Sequence, residues 1–515
     1  MKKDLNYSIY TPDSVAQEMI DHVFHVYFSK GEKKQQLENI RVCDISCGSG
    51  NLLIPAVKKL LELSKKIYGE YRFNPLWISG YDLDKEAVNI ANDKITSILK
   101  QAGIEINLNI TKFNALELKE NKYNIIIGNP PYLGEKNNKE IFQKIKNTEF
   151  GKKYYESKMD YFYFFIEKAV ELLEKDGLLI YLTTNYWLRA DGGIILRETL
   201  KTNGQFLKMS IYDQSLFSEA IGQHNIIFLW EKNIGQNKLI DVNVTGKKFK
   251  ISNSEIYDKN NKIVLADKDE REFSQKILAK SNFYLSDLVN INQGIISGHD
   301  KAFVLSEYKN EFKEYLKPFY KSKDINKYTH KDNSYWILYL DKTSELDHKV
   351  EQYLKPFYEK LCNRREVKKE RIKWWQLQWA REQEMFQGPK ILVRQRYKTN
   401  DFSYSEKEFY GSADIYFITP KKADINIFYI LGFMNSKLFL QWFKFNGKFK
   451  GKNYEFYSTP LKETPVYYPE CSQQLDYIET LVKKQIKDYS FHTQQEIDNY
   501  FYKIYNINLK KGGDI

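Results

Sequence analysis

The chain reads as an α/β protein whose first half carries a Rossmann-like, doubly wound sheet and whose second half is a mixed α+β domain closed by helices. Three observations predict this. Ile40-Arg41-Val42-Cys43-Asp44-Ile45 is a short apolar run followed at once by Ser46-Cys47-Gly48-Ser49-Gly50, then by helical apolar spacing from Asn51 to about Lys65. Two further apolar runs end on polar signals: Leu76 to Tyr81 on Asp82, and Tyr123 to Gly128 on Asn129-Pro130-Pro131-Tyr132. From Phe283 onward the texture changes to interleaved basic and aromatic residues.

A length of 515 residues with 42% hydrophobic content supplies cores for two or three domains. No run of 18 apolar residues occurs, and Met1-Lys2-Lys3-Asp4-Leu5-Asn6-Tyr7 leads into no apolar targeting segment. A cytoplasmic protein that neither spans nor binds a membrane is expected. Cys43, Cys47, Cys362 and Cys471 are too few and too scattered for a disulfide framework. The Cys43/Cys47 pair lacks a neighbouring His, so no metal site is expected. A net charge of +12 points to a polyanionic partner.

Taken in order, Asp44 ends the first strand, where a carboxylate can accept from a cationic ligand amine. Gly48 and Gly50 let the backbone turn tightly and approach that ligand. Asp82, at the end of the second strand, is placed to take ribose hydroxyls, and a helix follows from Asp84 to Lys100. Ile104 to Ile110 predicts a third strand, leading to Phe113-Asn114-Ala115-Leu116, and Tyr123 to Gly128 a fourth. All these features fall at carboxyl ends of strands, the edge where open parallel sheets bind ligands. Further on, Lys158 to Tyr163 opens an amphipathic helix, Gly177 to Thr184 gives another strand, and Asn225 to Trp230 is expected to close the sheet.

The Asn129-Pro130-Pro131-Tyr132 loop carries the chemistry. Two prolines can neither continue a helix nor donate to a ladder, so an amide, bare carbonyls and an aromatic face are held in a rigid strand-end turn. That set suits an exocyclic amino group on a flat heterocycle. Its lone pair is delocalised into the ring, and hydrogen bonds to the Asn129 oxygen and the Pro130 carbonyl would aim it at an electrophile.

In this order, D-x-x-x-G-x-G, G-Y-D-L-D and N-P-P-Y resemble the S-adenosylmethionine-dependent amino-methyltransferases. The preceding Ile9-Tyr10-Thr11-Pro12 is similar to the Y-T-P segment of the gamma-class, TaqI-like adenine DNA methyltransferases. The resemblance covers residues 1–235. It implies that Tyr10, Thr11 and Pro12 border the methionine moiety of the cofactor, Asp44 its amino group, and Gly48 and Gly50 its close backbone approach. Asp82 would hold the ribose. Asn114 stands where the family usually has Asp against the adenine, and Ser46, Leu83 and Ala115 complete the cofactor set. The resemblance also implies a catalytic role for Asn129, Pro130, Pro131 and Tyr132, with Tyr132 stacking on a target base flipped from the duplex. A second aromatic, Tyr186 or Trp187, would clamp the other face.

The second half supplies a polyanion-binding surface. Between Leu361 and Asn400 there are 11 Lys/Arg against 4 Glu. Leu431 to Lys452 carries five lysines and no acid. Basic side chains hold phosphates, Arg and Gln read base edges, and aromatics stack on opened bases. Asn292 to Phe303, Asn363-Arg364-Arg365-Glu366 and Lys373 to Trp379 resemble the target-recognition domain of TaqI-like enzymes, closest to the clostridial CamA-type stand-alone adenine methyltransferases. Expected DNA contacts are Gln293, Ser297, His299, Lys301, Arg364, Arg365, Trp375, Gln376, Arg381, Arg396, Lys398, Lys448 and Lys450. The expected domains are 1–235 (cofactor binding and catalysis), 236–280 (a crossing segment), 281–470 (target recognition) and 471–515 (a terminal helical pair).

The resemblance implies methyl transfer to the N6 amino group of adenine in double-stranded DNA by a monomer without a nuclease. Two alternatives stay open at this point: an RNA or protein-glutamine amino-methyltransferase, and a non-catalytic DNA-binding subunit.

Overall fold

The computed structural model describes residues 11–119, 122–212, 224–233, 235, 238–447, 449–450 and 453–508. The chain divides into two compact units, Met1–Lys268 and Asp269–Ile515.

In the first unit nine strands form one sheet. They are β1 (Val42–Asp44), β2 (Ile78–Asp82), β3 (Asn109–Lys112), β4 (Tyr123–Gly128), β5 (Leu173–Thr184), β6 (Gln205–Tyr212), β7 (Asn225–Glu231), β8 (Leu239–Val244) and β9 (Lys247–Ser252), in the spatial order β3-β2-β1-β4-β5-β7-β6-β8-β9. Strands β1 to β5 are parallel to one another, and β7 runs antiparallel between β5 and β6. Helices α1 (Asp13–Phe28), α2 (Lys33–Asn39), α3 (Leu53–Tyr68) and α4 (Lys85–Gln101) cover one face. On the other lie α5 (Lys139–Lys146), α6 (Glu149–Tyr154), α7 (Phe162–Leu172) and α8 (Ile194–Asn203).

A parallel strand buried on both faces reads as a continuous apolar run. Accordingly Ile125 and Ile127 of β4 pack toward α1 and α3 while Ile126 packs toward α7. Local signals set the helix ends. The Asp84 carboxylate accepts from the Glu86 and Ala87 amides at the start of α4, and Gly69, at φ 80°, terminates α3.

Two strand expectations are corrected. The third strand is Asn109–Lys112, not Ile104 to Ile110. The alternating Ile104, Ile106 and Leu108 pack against the α3/α4 side without joining a ladder, so their period reflects packing rather than pairing. Nor does Asn225 to Trp230 close the sheet. It forms a fully buried interior strand, because β6, β8 and β9 extend the sheet beyond it. The latter two come from the polar stretch expected to cross between domains.

The second unit holds two four-stranded sheets. One orders Val289–Gln293, Ile415–Pro420, Lys390–Arg394 and Ser403–Ser405, all antiparallel. Against it pack the helices Ile427–Met434, Lys437–Asn446, Ser472–Lys487 and Phe491–Ile504. The other sheet orders Val304–Leu305, Tyr335–Leu338, Leu316–Tyr320 and Tyr410–Gly411 around a separate core. Among the described residues, no helix is long and apolar enough to cross a membrane.

Candidate active site and nucleic-acid interface

The chain leaves β1 for β2 and β3 on one side and returns to β4 on the other, so a crevice opens at the carboxyl ends of β1 and β4. Asp44, the last residue of β1, is in register with Ile127 of β4, and Asn129 follows two residues later. Neighbouring strands lie about 4.8 Å apart, so the buried acid and the proline loop share one crevice.

The Asp44 Oδ1 accepts the Ser46 amide at 2.9 Å and the Ser46 hydroxyl at 3.4 Å. Burial pushes its carboxyl up to about 7, and the Asp82 charge adds to the rise while the Ser46 amide opposes it. Asp82 closes the turn from the other side. Its Oδ2 accepts the Gly48 amide at 2.8 Å and its Oδ1 the Asp84 amide at 2.9 Å. Gly48 and Gly50 have φ of 49° and 86°, and a Cβ on Gly50 would lie 3.2 Å from the Ala91 methyl of α4.

At the rim, Leu83 and Phe113 are 57% and 40% exposed, an apolar surface beside an acid. Phe113 is a candidate contact that the motif pattern did not single out; it follows β3 and its amide donates to the Asp82 carbonyl. The Asn114 side chain is engaged locally, its Oδ1 accepting the Leu116 amide and its Nδ2 donating to Glu117. Ala115 is buried behind it. A buried carboxyl short of a cation, a glycine turn and an apolar rim fit a cofactor that is amino acid at one end and nucleoside at the other.

Thr11 is buried, and its hydroxyl accepts from the Asn129 Nδ2 at 3.2 Å. Pro12 caps α1, its carbonyl accepting the Val15 and Ala16 amides. Tyr10 lies outside the described residues. In the loop, Pro130 is buried and Pro131 half-buried. The Tyr132 hydroxyl donates to the Asn129 Oδ1 at 2.6 Å, with the Leu182 carbonyl oxygen 3.1 Å from the same hydroxyl. Its ring meets Phe162 edge-on, 5.6 Å between centroids.

Of the two candidates for a second aromatic, Tyr186 is 45% exposed, whereas Trp187 is wholly buried. The Trp187 indole donates to the Thr183 hydroxyl and packs on Phe206 and Phe228. Trp187 is thus a core residue, because the short turn after β5 sends adjacent side chains in opposite directions.

In the second unit the expected contacts separate by exposure. Lys301, Arg365, Arg396 and Lys398 are exposed, with Arg365 paired to the buried Glu366 and Arg396 to Glu455. Gln293 and Arg381 are half-buried and tied to backbone. The Gln293 amide donates to the Ala413 carbonyl, and Arg381 donates to the Gly294 carbonyl. The His299 imidazole is pushed below the usual His range by burial and by Lys360, Lys301 and Arg364. Ile295 to Asp300, Lys321 and Ser412 to Asp414 line an open cavity of about 430 Å³.

Four expected contacts are corrected to internal ones. Arg364 is buried, donating to the carbonyls of Leu361, Ser297 and Trp374. Ser297 is buried and donates to Asp300. Gln376 donates to the Asp341 carbonyl and accepts from the Lys373 amide, and Trp375 packs in the core of the second sheet. A loop that folds back on itself needs donors to satisfy its carbonyls, and Arg364 and Gln376 serve that need. Trp379, by contrast, is 43% exposed. Lys448 and the side chain of Lys450 lie outside the described residues.

Residues 58–217 match the Eco57I restriction-modification methylase family, and residues 317–466 match the TaqI-like C-terminal specificity domain. The chain is 27% identical to the type II methyltransferase M.HindII of Haemophilus influenzae over 76% of its own length and 83% of that protein. It is 28% identical to M.HincII of the same species, over 76% and 82%. Among solved structures, the type IIL restriction-modification enzyme MmeI, in complex with DNA, superposes with a TM-score of 0.70 at 14% identity, over 98% of this chain and 76% of that one. The methylase and specificity matches, with the type II methyltransferase relatives, support a restriction-modification methyltransferase of the gamma class, and its cofactor is S-adenosylmethionine.

Proposed function

We propose that the chain methylates the N6 amino group of an adenine flipped out of duplex DNA at a specific site. The observation that carries this is the junction of Asn129-Pro130-Pro131-Tyr132 with Asp44 at one switch point of the sheet. S-adenosylmethionine supplies an electrophilic methyl group on a sulfonium. Asp44 accepts from its amino group, Asp82 serves its ribose, and the Gly48–Gly50 turn lets the backbone approach. Thr11 and Pro12 border the methionine end.

On the substrate side, the Asn129 oxygen and the Pro130 carbonyl accept the two amino hydrogens of the base. This draws the nitrogen lone pair out of conjugation and orients it. Tyr132 and Tyr186 supply faces for the extruded base, offsetting the few kcal/mol lost on unstacking. The exposed basic residues Lys301, Arg365, Arg396 and Lys398 engage phosphates of the duplex. The enzyme acts as a monomer on an asymmetric site. The finer likeness to CamA-type stand-alone enzymes rests on the Asn292–Phe303 and Asn363–Glu366 motifs.

Purified protein is incubated with methyl-labelled S-adenosylmethionine and duplex DNA, RNA or protein in separate reactions, and the products are digested and analysed by mass spectrometry. N6-methyladenine in the DNA arm alone is expected. Label confined to RNA or to glutamine, or no transfer to any substrate, overturns the proposal.

A further inference from the structure

Asp160 stands just before α7, buried, and it touches both sides of the site. Its Oδ1 accepts the backbone amide of Leu133, the residue directly after Tyr132, at 2.8 Å. Its Oδ2 accepts the Tyr186 hydroxyl. The main chain reinforces the first link: the Tyr161 amide donates to the Leu133 carbonyl at 3.0 Å and the Glu135 amide to the Met159 carbonyl at 3.2 Å. The ring of Phe162, two residues on, meets Tyr132 edge-on at 5.6 Å and Tyr186 edge-on at 6.0 Å. The loop after β4 and the turn after β5 therefore converge on one carboxylate and one ring, although the sequence separates them by some fifty residues.

We infer that Asp160 is a positioning residue that sets the spacing between Tyr132 and Tyr186, and so the width of the slot that receives the target base. The inference rests on the reading above, in which those two rings face the base. Two rings flanking a flat heterocycle must stand about 7 Å apart, twice an ordinary contact distance. Neither ring is held at that spacing by its own strand, because each lies in a loop beyond the sheet. A carboxylate has the acceptor capacity to hold a backbone amide and a phenol at once. Burial of the carboxylate keeps water from competing for the Leu133 bond.

The test compares Asp160→Ala, Asp160→Asn, Tyr186→Phe and the double variant Asp160→Ala/Tyr186→Phe with the wild type. The readouts are kcat and KM for methyl transfer to duplex DNA, KM for S-adenosylmethionine, and thermal melting. Asp160→Ala is expected to lower kcat by about 10²-fold, the cost of a misplacement of about 1 Å, while KM for S-adenosylmethionine stays within about twofold. Tyr186→Phe keeps the ring and loses only its link, so a smaller loss is expected. The double variant should be no worse than Asp160→Ala alone, since both changes break one connection. Asp160→Asn retains an acceptor for Leu133 and should recover part of the loss; it carries the test with Tyr186→Phe should Asp160→Ala fail to fold.

A folded Asp160→Ala with wild-type kcat, or losses that multiply in the double variant, overturns the inference and leaves the proposed function standing. A wild type that transfers no methyl group to DNA overturns both.

Discussion

The Tyr132 hydroxyl donates to the amide oxygen of Asn129 at 2.6 Å. The ring proposed to stack on the target base thus holds, in the free protein, the atom proposed to accept the base's amino hydrogen. That oxygen keeps a second lone pair for the base, and the Leu182 carbonyl oxygen lies 3.1 Å from the same hydroxyl. The hydroxyl thus orients the Asn129 amide before a base arrives.

Tyr132→Phe removes the resting bond while keeping the stacking face. A hydrogen bond of this kind contributes about 1 kcal/mol, so methyl transfer should be retained, with kcat/KM for DNA lowered by up to about fivefold. Asn129→Ala should reduce kcat by about 10²–10³-fold with cofactor binding preserved. Steady-state kinetics with labelled cofactor decide both; undiminished transfer by Asn129→Ala removes the basis of the mechanism.

In its proposed role, Asp44 should make cofactor binding pH-dependent. Its carboxyl is raised by burial to about 7, and an ammonium ligand requires the anion. Affinity for S-adenosylmethionine should therefore climb as pH rises from 6 to about 7.5, and fall again above about 8 as the α-amino group of the ligand loses its proton. At pH 6 binding should release close to one proton. For folding the sign is opposite: the native state holds this proton where the unfolded chain has lost it, so cofactor-free stability falls as pH rises from about 4 to about 7. Calorimetry in buffers of different ionisation enthalpy and melting curves across this range measure the two effects. Asp44→Asn should abolish both.

Gly50→Ala combines left-handed strain with a contact. At φ 86° an Ala costs about 1–2 kcal/mol, and its Cβ would press on Ala91 at 3.2 Å. Gly69→Ala, at φ 80° in open space, carries strain alone. Both should lower the melting temperature, but only Gly50→Ala should weaken S-adenosylmethionine binding. Equal affinities in the two variants would show that the turn tolerates a side chain.

Arg364 and Arg365 are sequence neighbours with separate expected effects. Arg364→Ala removes the side-chain donor from three carbonyls, of which those of Leu361 and Ser297 keep a backbone amide donor, and should destabilise the second unit by roughly 1–3 kcal/mol, read from denaturant melts. Arg365→Ala, with a side chain 72% exposed, should leave stability nearly unchanged. It should weaken DNA binding and reduce the slope of log affinity against log salt by about 1. A shared stability loss, or no change in slope, contradicts this division.

Much of the catalytic half was legible before folding. Cys43-Asp44, the glycine turn, Asp82 and Asn129 to Tyr132 are local signals, each tied to a strand end, and a parallel sheet carries all of them to one edge. The polar strands β8 and β9 were not legible, because a strand near a sheet edge, with solvated positions, shows no apolar run. Nor could the spacing separate Tyr186 from Trp187. Both are large aromatics in one turn, and only the packing on Phe206 and Phe228 claims the second for the core. Arg364 against Arg365 is the same problem in charge.

By itself, the order of short motifs determined the fold class and the chemistry suited to the proline loop, since each depends on residue type and backbone freedom at a fixed spacing; the cofactor came with the family those motifs resemble. The tertiary structure alone decided which aromatic faces outward, which arginine is spent on its own backbone, and that Asp160 joins two loops distant in sequence. Those outcomes depend on which neighbours compete for a side chain, and such neighbours exist only once the chain has folded.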